Sequence, residues 1–190
     1  MDQAAMMERV LNQADRIVQK IEPSQMGNAT PCTEWSARDV INHMVGGITM
    51  FSECVEGGSV PDERLGELMG GADLVGDDPK GAFSAACKRA IATFGKPGAM
   101  EQTVTLPFGV MPAGVALNIG IMDVTTHACD LAKATGLKID DTELLDIALD
   151  TGKQLIGPDF RAPGIFDAEQ PAPDGASAED KLLAFAGRKV

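Results

Sequence analysis

The chain contains only two histidines, His43 and His127, so each is a candidate for chemistry. Asp123 precedes His127 by four residues in a segment with helical periodicity, and this spacing places both side chains on one face of a helix. The same face carries the aliphatic residues Ala116, Ile119, Leu131 and Ala134. We therefore expect the face to point inward, where a carboxylate is costly unless a cation or a metal ion compensates its charge.

Two ligands on one helix and a third on a facing helix are a common way to hold a metal ion inside a helical bundle. Two imidazoles and a carboxylate suit zinc foremost, with nickel, manganese and iron(II) as alternatives. Three protein ligands leave positions open for water or substrate, which is typical of a catalytic site. We predict one divalent metal ion at His43, Asp123 and His127. In the alternative reading, Asp123 and His127 form an i, i+4 ion pair and His43 is an ordinary, partly buried histidine.

Other polar side chains near these positions receive different roles. The cysteines 32, 54, 87 and 129 are dispersed, so we predict reduced thiols and no metal ligand among them. Cys129 lies two residues after His127, a spacing that points the two side chains apart on a helix. Asp130 is predicted to orient a histidine, because a metal-bound imidazole needs an acceptor for its second nitrogen, or else to serve as a capping group. Trp35 is predicted to anchor its loop on the bundle.

Bulk composition narrows the class of protein. With 190 residues, 44% of them hydrophobic, the chain fits a single domain over 1–190. Aromatic residues make up 4% and tyrosine is absent, which favours packed helices over sheets. A net charge of -12 disfavours nucleic acid and anionic membranes as partners. The N-terminus lacks the pattern of a signal peptide, and no stretch approaches the roughly 20 apolar residues of a membrane span, so we expect a cytoplasmic protein.

Apolar periodicity predicts an all-α fold, a four-helix bundle with a long crossover. The bundle helices are expected over residues 2–21, 36–57, 79–94 and 112–135, with further helices over 140–156 and 178–186. Ser36 and Asp39 resemble a capping box at the start of the second helix. Residues 58–78 are predicted to form the long connection, residues 101–111 a short strand or extended segment, and the tail over 157–176 a path across the surface.

Two segments of the sequence also resemble a known family. The segment TPCTEWSARDVINHMVGG resembles the opening motif of the DinB-like, mycothiol-dependent maleylpyruvate isomerase N-terminal-domain superfamily, in which a Pro-Cys/Gly-x-x-Trp turn precedes a helix ending in His-x-x-Gly-Gly. The segment DVTTHACDLAKATG is similar to the second motif, an acidic residue followed after three residues by His-Gly-Trp-Asp-Leu-Ala-x-Ala-Thr-Gly. The tail FRAPGIF…DKLLAFAGR resembles the end of a single-domain branch that is described as metal-binding.

The resemblance implies a four-helix bundle that holds a metal ion through a histidine, an acidic residue and a histidine, here His43, Asp123 and His127. Two positions depart from the pattern. Cys129 stands where the family often has Trp, and Asp123 stands where the isomerase has Glu, so its shorter carboxylate could reach a metal through water.

The resemblance also implies a low-molecular-weight thiol such as mycothiol, glutathione or bacillithiol as ligand, and a thiol transferase or isomerase as activity. The isomerase's separate C-terminal domain is absent from this sequence, so its particular reaction is not carried over. The alternative is a non-enzymatic metal-binding or stress-associated bundle protein. Neither interpretation identifies the substrate, and both are compatible with a homodimer as well as with a monomer.

Overall fold

A computed structural model describes residues 2–157, 161 and 167–190. This part of the chain forms seven α-helices, a short 3₁₀ helix at Pro23–Gln25 and one β-hairpin. The helices are α1 Gln3–Lys20, α2 Ala37–Gly57, α3 Asp62–Met69, α4 Pro79–Phe94, α5 Ala113–Thr135, α6 Glu143–Leu155 and α7 Ala178–Phe185. The strands are β1 Thr103–Leu106 and β2 Gly109–Pro112. The predicted all-α fold with a small extended segment is confirmed.

The bundle consists of α1, α2, α4 and α5, and each of these helices packs against two others. Their order around the bundle is α1, α4, α2, α5, so that α1 lies opposite α2 and α4 lies opposite α5. Aliphatic and methionine side chains with almost no exposure fill the centre, among them Leu11, Ile17, Ile41, Met44, Leu117 and Leu131. The pairing of α2 with α5 matters for function, because the two histidines lie on these two helices.

Local signals in the sequence fix where α2 and α5 begin and end. The Ser36 hydroxyl accepts a hydrogen bond from the Asp39 amide, and the Asp39 carboxylate accepts one from the Ser36 amide, which is the predicted capping box. Pro112 immediately precedes α5, and Gly136 ends it in the left-handed conformation, with φ 73°. The helices that carry the histidines therefore have bounds close to the predicted ones.

The predicted long connection over residues 58–78, between α2 and α4, contains the additional helix α3, which was not predicted. Leu68 of α3 is buried against α2, and a Cβ atom at Gly46 would lie 2.1 Å from the Leu68 carbonyl oxygen. Only glycine at position 46 allows this close approach of the two backbones. The helix has eight residues with Gly66 in its middle, too few for apolar periodicity to stand out.

The segment predicted as extended is an antiparallel hairpin. Thr103 pairs with Pro112 and Leu106 pairs with Gly109, and alternate residues Val104 and Leu106 point into the core. Gly109 has φ 137°, a backbone conformation that favours glycine at the tight turn. The hairpin contacts α2 and α5 and so covers one side of the bundle.

The C-terminal region packs on the outside of α5 through α6 and α7. The sixth helix begins at Glu143 rather than at residue 140, because the Asp141 carboxylate pairs with the Arg9 guanidinium of α1 instead of capping the helix. The predicted surface path of residues 157–176 lies partly outside the described residues. Within it, residues 167–176 are mostly exposed, as such a path requires.

Candidate metal centre

The histidine–aspartate cluster, which we define as His43, Asp123 and His127, forms where α2 and α5 face each other. The Nε2 atom of His43 lies 3.7 Å from Asp123 Oδ1, and the Nε2 atom of His127 lies 3.6 Å from the same oxygen. The three ligand atoms lie within 4.8 Å of one another. The structure therefore brings together all three residues that the sequence analysis selected.

The donor set and its spacing fit a divalent metal ion. Nitrogen and oxygen ligands bind zinc at about 2.0–2.2 Å, so two ligands of a tetrahedral site lie roughly 3.3 Å apart. The two Nε2–Oδ1 distances of 3.6 and 3.7 Å exceed this by only a few tenths of an ångström.

The cluster lies at the rim of the bundle core. The side chain of His127 is 7% exposed, whereas those of His43 and Asp123 are 22% and 28% exposed. Asp123, which was predicted on an inward face, is therefore partly buried rather than enclosed. Ile119, one turn earlier on α5, is also only partly buried, so this edge of the helix faces the boundary between α2 and solvent. The exposure leaves the cluster accessible to a small molecule.

The charge of Asp123 is stabilised by its neighbours. Partial burial alone would raise the pKa of Asp123, but His127, His43 and the more distant Arg188 together lower that pKa to about 2. The carboxylate is therefore anionic at neutral pH, which is the form that binds a metal ion.

The opposite edge of the His127 ring meets a second carboxylate. The Nδ1 atom of His127 lies 3.0 Å from Asp130 Oδ2, and Asp130 is fully buried. Asp130 thus lies where the sequence analysis expected an acceptor for the histidine. A neutral His127 that donates its Nδ1 proton to Asp130 keeps the lone pair of Nε2 directed at His43 and Asp123.

Sequence reasoning missed Arg188, which neutralises Asp130. The guanidinium Nε and Nη2 atoms lie 3.3 and 3.0 Å from the two carboxylate oxygens. We call these two residues the arginine–aspartate pair. A buried aspartate demands a cation, but no periodic signal marks Arg188 near the end of the chain. Its partner is set by how the C-terminal region docks.

A second group of potential ligands combines Cys32 with His127 and Asp130. This group is poorly suited to a metal, because Arg188 already pairs with both oxygens of Asp130. Burial raises the pKa of the Cys32 thiol, which disfavours the thiolate that a metal needs. Cys129 is fully buried and belongs to neither group in the described part of the chain, and all four cysteines are free.

Trp35 forms one wall of the cluster. Its ring centroid lies 4.7 Å from that of His43 and 5.7 Å from that of His127, and the two imidazoles lie 4.8 Å apart edge to face. The predicted anchoring of the loop by Trp35 therefore takes place on the histidines themselves. Such aromatic contacts restrict ring rotation and hold both Nε2 atoms near Asp123.

A cleft of about 470 Å³ lies between the loop before α2 and the C-terminal residues, and its lining does not include His43, Asp123 or His127. Its lining includes Cys32, Thr33, Gln170, Arg188 and Lys189, and so combines thiol, hydroxyl, amide and cationic groups. Cys32 and Arg188 both belong to the surroundings of His127. The volume is within the range of small-molecule sites.

Comparison with known proteins gives consistent results. The mycothiol maleylpyruvate isomerase N-terminal domain family matches residues 7–132, which is more than half of the chain. Two uncharacterized proteins of Mycobacterium tuberculosis, from strains CDC 1551 / Oshkosh and ATCC 25618 / H37Rv, are each 36% identical over 176 residues, 92% of this chain and 91% of theirs. The similarity to these relatives therefore extends well beyond the family-matched segment.

Two solved structures share the fold. They are crystal structures of the mycothiol-dependent maleylpyruvate isomerase and of a mutant, with TM-scores of 0.61 and 0.59 and 16% sequence identity. The match covers 78% of this chain and 65% of the isomerase, so the chain spans about two thirds of that enzyme. Among the described residues, none of the helices has the length and apolar character needed to cross a bilayer. The chain belongs to the mycothiol maleylpyruvate isomerase N-terminal domain family.

Proposed function

We propose that this chain binds one divalent metal ion through His43, Asp123 and His127 and uses it to bind and activate a low-molecular-weight thiol. The observation that carries the proposal is the convergence of two imidazole nitrogens on one carboxylate oxygen, at 3.6 and 3.7 Å. The reaction class is transfer or isomerisation that depends on the thiol. Zinc is the metal that this donor set suits best, with nickel, manganese and iron(II) as alternatives.

The residues around the cluster support a ligand set rather than a simple ion pair. An isolated Asp–His pair needs only one imidazole, yet His43 and His127 approach the same oxygen of Asp123 from different helices. The lowered pKa of Asp123 keeps it anionic. The contact of His127 Nδ1 with Asp130 leaves the lone pair of Nε2 available to a metal ion. These features favour metal binding at neutral pH.

Partial exposure supports a role in chemistry. Three protein ligands would leave room for a further one, and the side chains of His43 and Asp123 are 22% and 28% exposed, so a small molecule could reach the site. A divalent metal bound there would lower the pKa of a thiol or of water toward neutrality. Gly47 lies one turn after His43, and a Cβ atom built at Gly47 would have no neighbour within 4 Å, so there is space beside the ring.

A thiol ligand is supported by the family and by the cleft. The solved relative is named for its dependence on mycothiol, and the family carries the same name. The cleft on the Asp130 side of His127 offers Gln170 and Lys189 as hydrogen-bonding or cationic groups for the polar parts of such a molecule. The chain spans about two thirds of the isomerase, so the substrate that accepts the thiol is left open.

The experiment is a titration of the metal-free protein with Co²⁺, followed by its visible absorption, and then by addition of mycothiol or glutathione. We expect one Co²⁺ per chain, and a new sulfur-to-metal absorption band when the thiol is added. Asp123→Asn should weaken Co²⁺ binding, whereas Asp146→Asn, which removes an exposed carboxylate on α6, should leave it unchanged.

The outcomes separate the two classes of function. Co²⁺ binding with a thiol band, together with thiol-dependent turnover in a screen of electrophiles, supports the enzyme. Co²⁺ binding that no thiol perturbs would identify a bundle that binds metal without thiol chemistry. Absence of Co²⁺ binding would remove the basis of the proposal.

A further inference from the structure

Arg188 is the third residue from the end of the sequence, yet its side chain reaches a carboxylate on the fifth helix. It is 12% exposed, and it pairs with Asp130, which is fully buried. Arg188 lies outside residues 7–132, the part of the chain that the family matches. The C-terminal region thus contributes a charge directly behind His127.

The geometry of the pair constrains Asp130. One guanidinium nitrogen donates to each carboxylate oxygen, at 3.3 and 3.0 Å, and this two-pronged contact fixes the plane of the carboxylate. The oxygen Oδ2 also accepts from His127 Nδ1 at 3.0 Å. An aspartate held by one donor could rotate, whereas this one is held on both oxygens.

The backbone after α7 aims the arginine. Gly187 adopts φ 90°, and its amide donates to the Ala184 carbonyl, while the Arg188 amide donates to the Leu183 carbonyl. A Cβ atom at Gly187 would lie 2.7 Å from Asp167 Cβ, so both the conformation and the space require glycine. The Arg188 Nη1 atom donates to the Ala186 carbonyl at 2.8 Å, which holds the side chain in place.

We propose that Arg188 is a positioning residue of the metal centre. It locks the Asp130 carboxylate, the carboxylate fixes the His127 ring through Nδ1, and the ring therefore presents Nε2 to Asp123 and His43. The consequence for metal affinity rests on the proposed function, whereas the consequence for the His127 ring does not.

The test measures the His127 imidazole first and the metal second, in the full chain. Nitrogen NMR of the metal-free protein should show His127 with its proton on Nδ1. In Arg188→Met the signals should move toward a mixture that includes the Nε2-protonated form, because Asp130 is no longer held. Lys133→Met is the matched control: it removes the Lys133–Asp180 ion pair, another link between α5 and the C-terminal region, and should leave His127 unchanged.

Metal affinity is then measured with Zn²⁺ in competition with a chelating dye. We expect Arg188→Met to weaken Zn²⁺ about 10-fold or more, the usual effect of losing a group that supports a metal-bound histidine, and Lys133→Met to weaken it little. If Arg188→Met fails to fold, Arg188→Lys replaces it, because lysine keeps the charge without the two-pronged contact. Arg188→Lys should still shift the His127 signals and weaken Zn²⁺ several-fold.

Two results would overturn the inference. One is a folded arginine variant with native His127 signals and native Zn²⁺ affinity. The other is a Lys133→Met variant with changes as large as those of Arg188→Met, which would indicate general loosening of the C-terminal region. A wild-type chain that binds no Zn²⁺ would contradict the proposed function alone, since the signals of His127 still decide the role of Arg188.

Discussion

The fifth helix carries two carboxylates near His127, and their surroundings differ. Asp130 is fully buried, and the chain itself supplies its counter-charge through Arg188. Asp123, about two turns earlier, is 28% exposed, and its close charged or polar partners among the described residues are the two imidazoles. One carboxylate is neutralised within the protein, and the other meets groups that are cationic only when protonated.

The difference supports the proposal that the histidine–aspartate cluster, rather than the arginine–aspartate pair, binds an external cation. The arginine–aspartate pair is internally satisfied, so it supports structure and orients His127. The histidine–aspartate cluster has three donors, partial exposure and no permanent positive charge within it, so it has the character of a binding site. His127 belongs to both, with one ring nitrogen facing each carboxylate.

The largest effect is expected from Arg188→Met on the stability of the metal-free protein. Removing one partner of a buried pair leaves Asp130 as an uncompensated charge, which costs about 3–5 kcal/mol of unfolding free energy. Asp123→Asn should cost less, about 1–2 kcal/mol, because its carboxylate is partly hydrated and the two histidines that help to lower its pKa are cationic only when protonated. Urea unfolding in the presence of a chelator measures both.

The double variant Asp130→Leu/Arg188→Met provides the control, because it removes both charges together. It should regain most of the stability that Arg188→Met loses. Equal losses of unfolding free energy in Arg188→Met and Asp123→Asn would show that the two carboxylates do not differ in how their charges are compensated.

The next effect is stabilisation by metal. At a free metal concentration about 100 times the Kd, binding adds about 2.7 kcal/mol, which for a chain of this size raises the Tm by about 5–10 °C. The metal-free protein should stay folded, since the core does not depend on the cluster. Thermal unfolding after chelation and titration with zinc, nickel or manganese tests this, and a midpoint that no ion shifts would contradict it.

Substitutions at the N-terminal caps of α2 and α7 should have smaller effects on stability, similar to each other. Ser36 caps α2, which carries His43, and Ser177 caps α7, which precedes Arg188. Substitution of either serine by alanine should lower the unfolding free energy by about 1 kcal/mol and leave metal stoichiometry intact. Urea unfolding and metal analysis of both variants test the pair, and loss of metal in Ser36→Ala would mean that the cluster tolerates little movement of α2.

The smallest effect is expected from the cysteines. Cys32→Ser and Cys129→Ser should keep full metal content, because neither residue belongs to the histidine–aspartate cluster. Metal analysis of the purified variants measures this. If Cys32→Ser loses its metal while Asp123→Asn keeps it, the ion is held on the Asp130 side of His127 and the contrast drawn above is reversed.

Much of the fold was predictable because its signals are local. Apolar periodicity located the long helices, Ser36 with Asp39 marked the start of α2, and Gly136 marked the end of α5. Short elements were harder: α3 has only eight residues, and α6 starts later because Asp141 pairs with Arg9 across the molecule.

The candidate site likewise has one part that the sequence predicts and one part that depends on how the helices pack. His43, Asp123 and His127 could be selected because histidine is scarce and a spacing of four defines a helical face. The exposure of Asp123 could not be predicted, since it depends on how closely α2 and α5 approach. Arg188 could not be assigned to Asp130 either, because that contact joins residues 58 positions apart through the docking of α7.

Elemental analysis of the protein purified without added metal decides whether the histidine–aspartate cluster binds a metal ion. We expect about one divalent metal ion per chain in the wild type and in the exposed-carboxylate control Asp146→Asn. Metal content should fall to background in His43→Ala and in His127→Ala, because each removes one of the three proposed ligands contributed by two helices. Undiminished metal content in both histidine variants, with the fold intact, would show that the histidine–aspartate cluster is a polar contact between helices and not a metal centre.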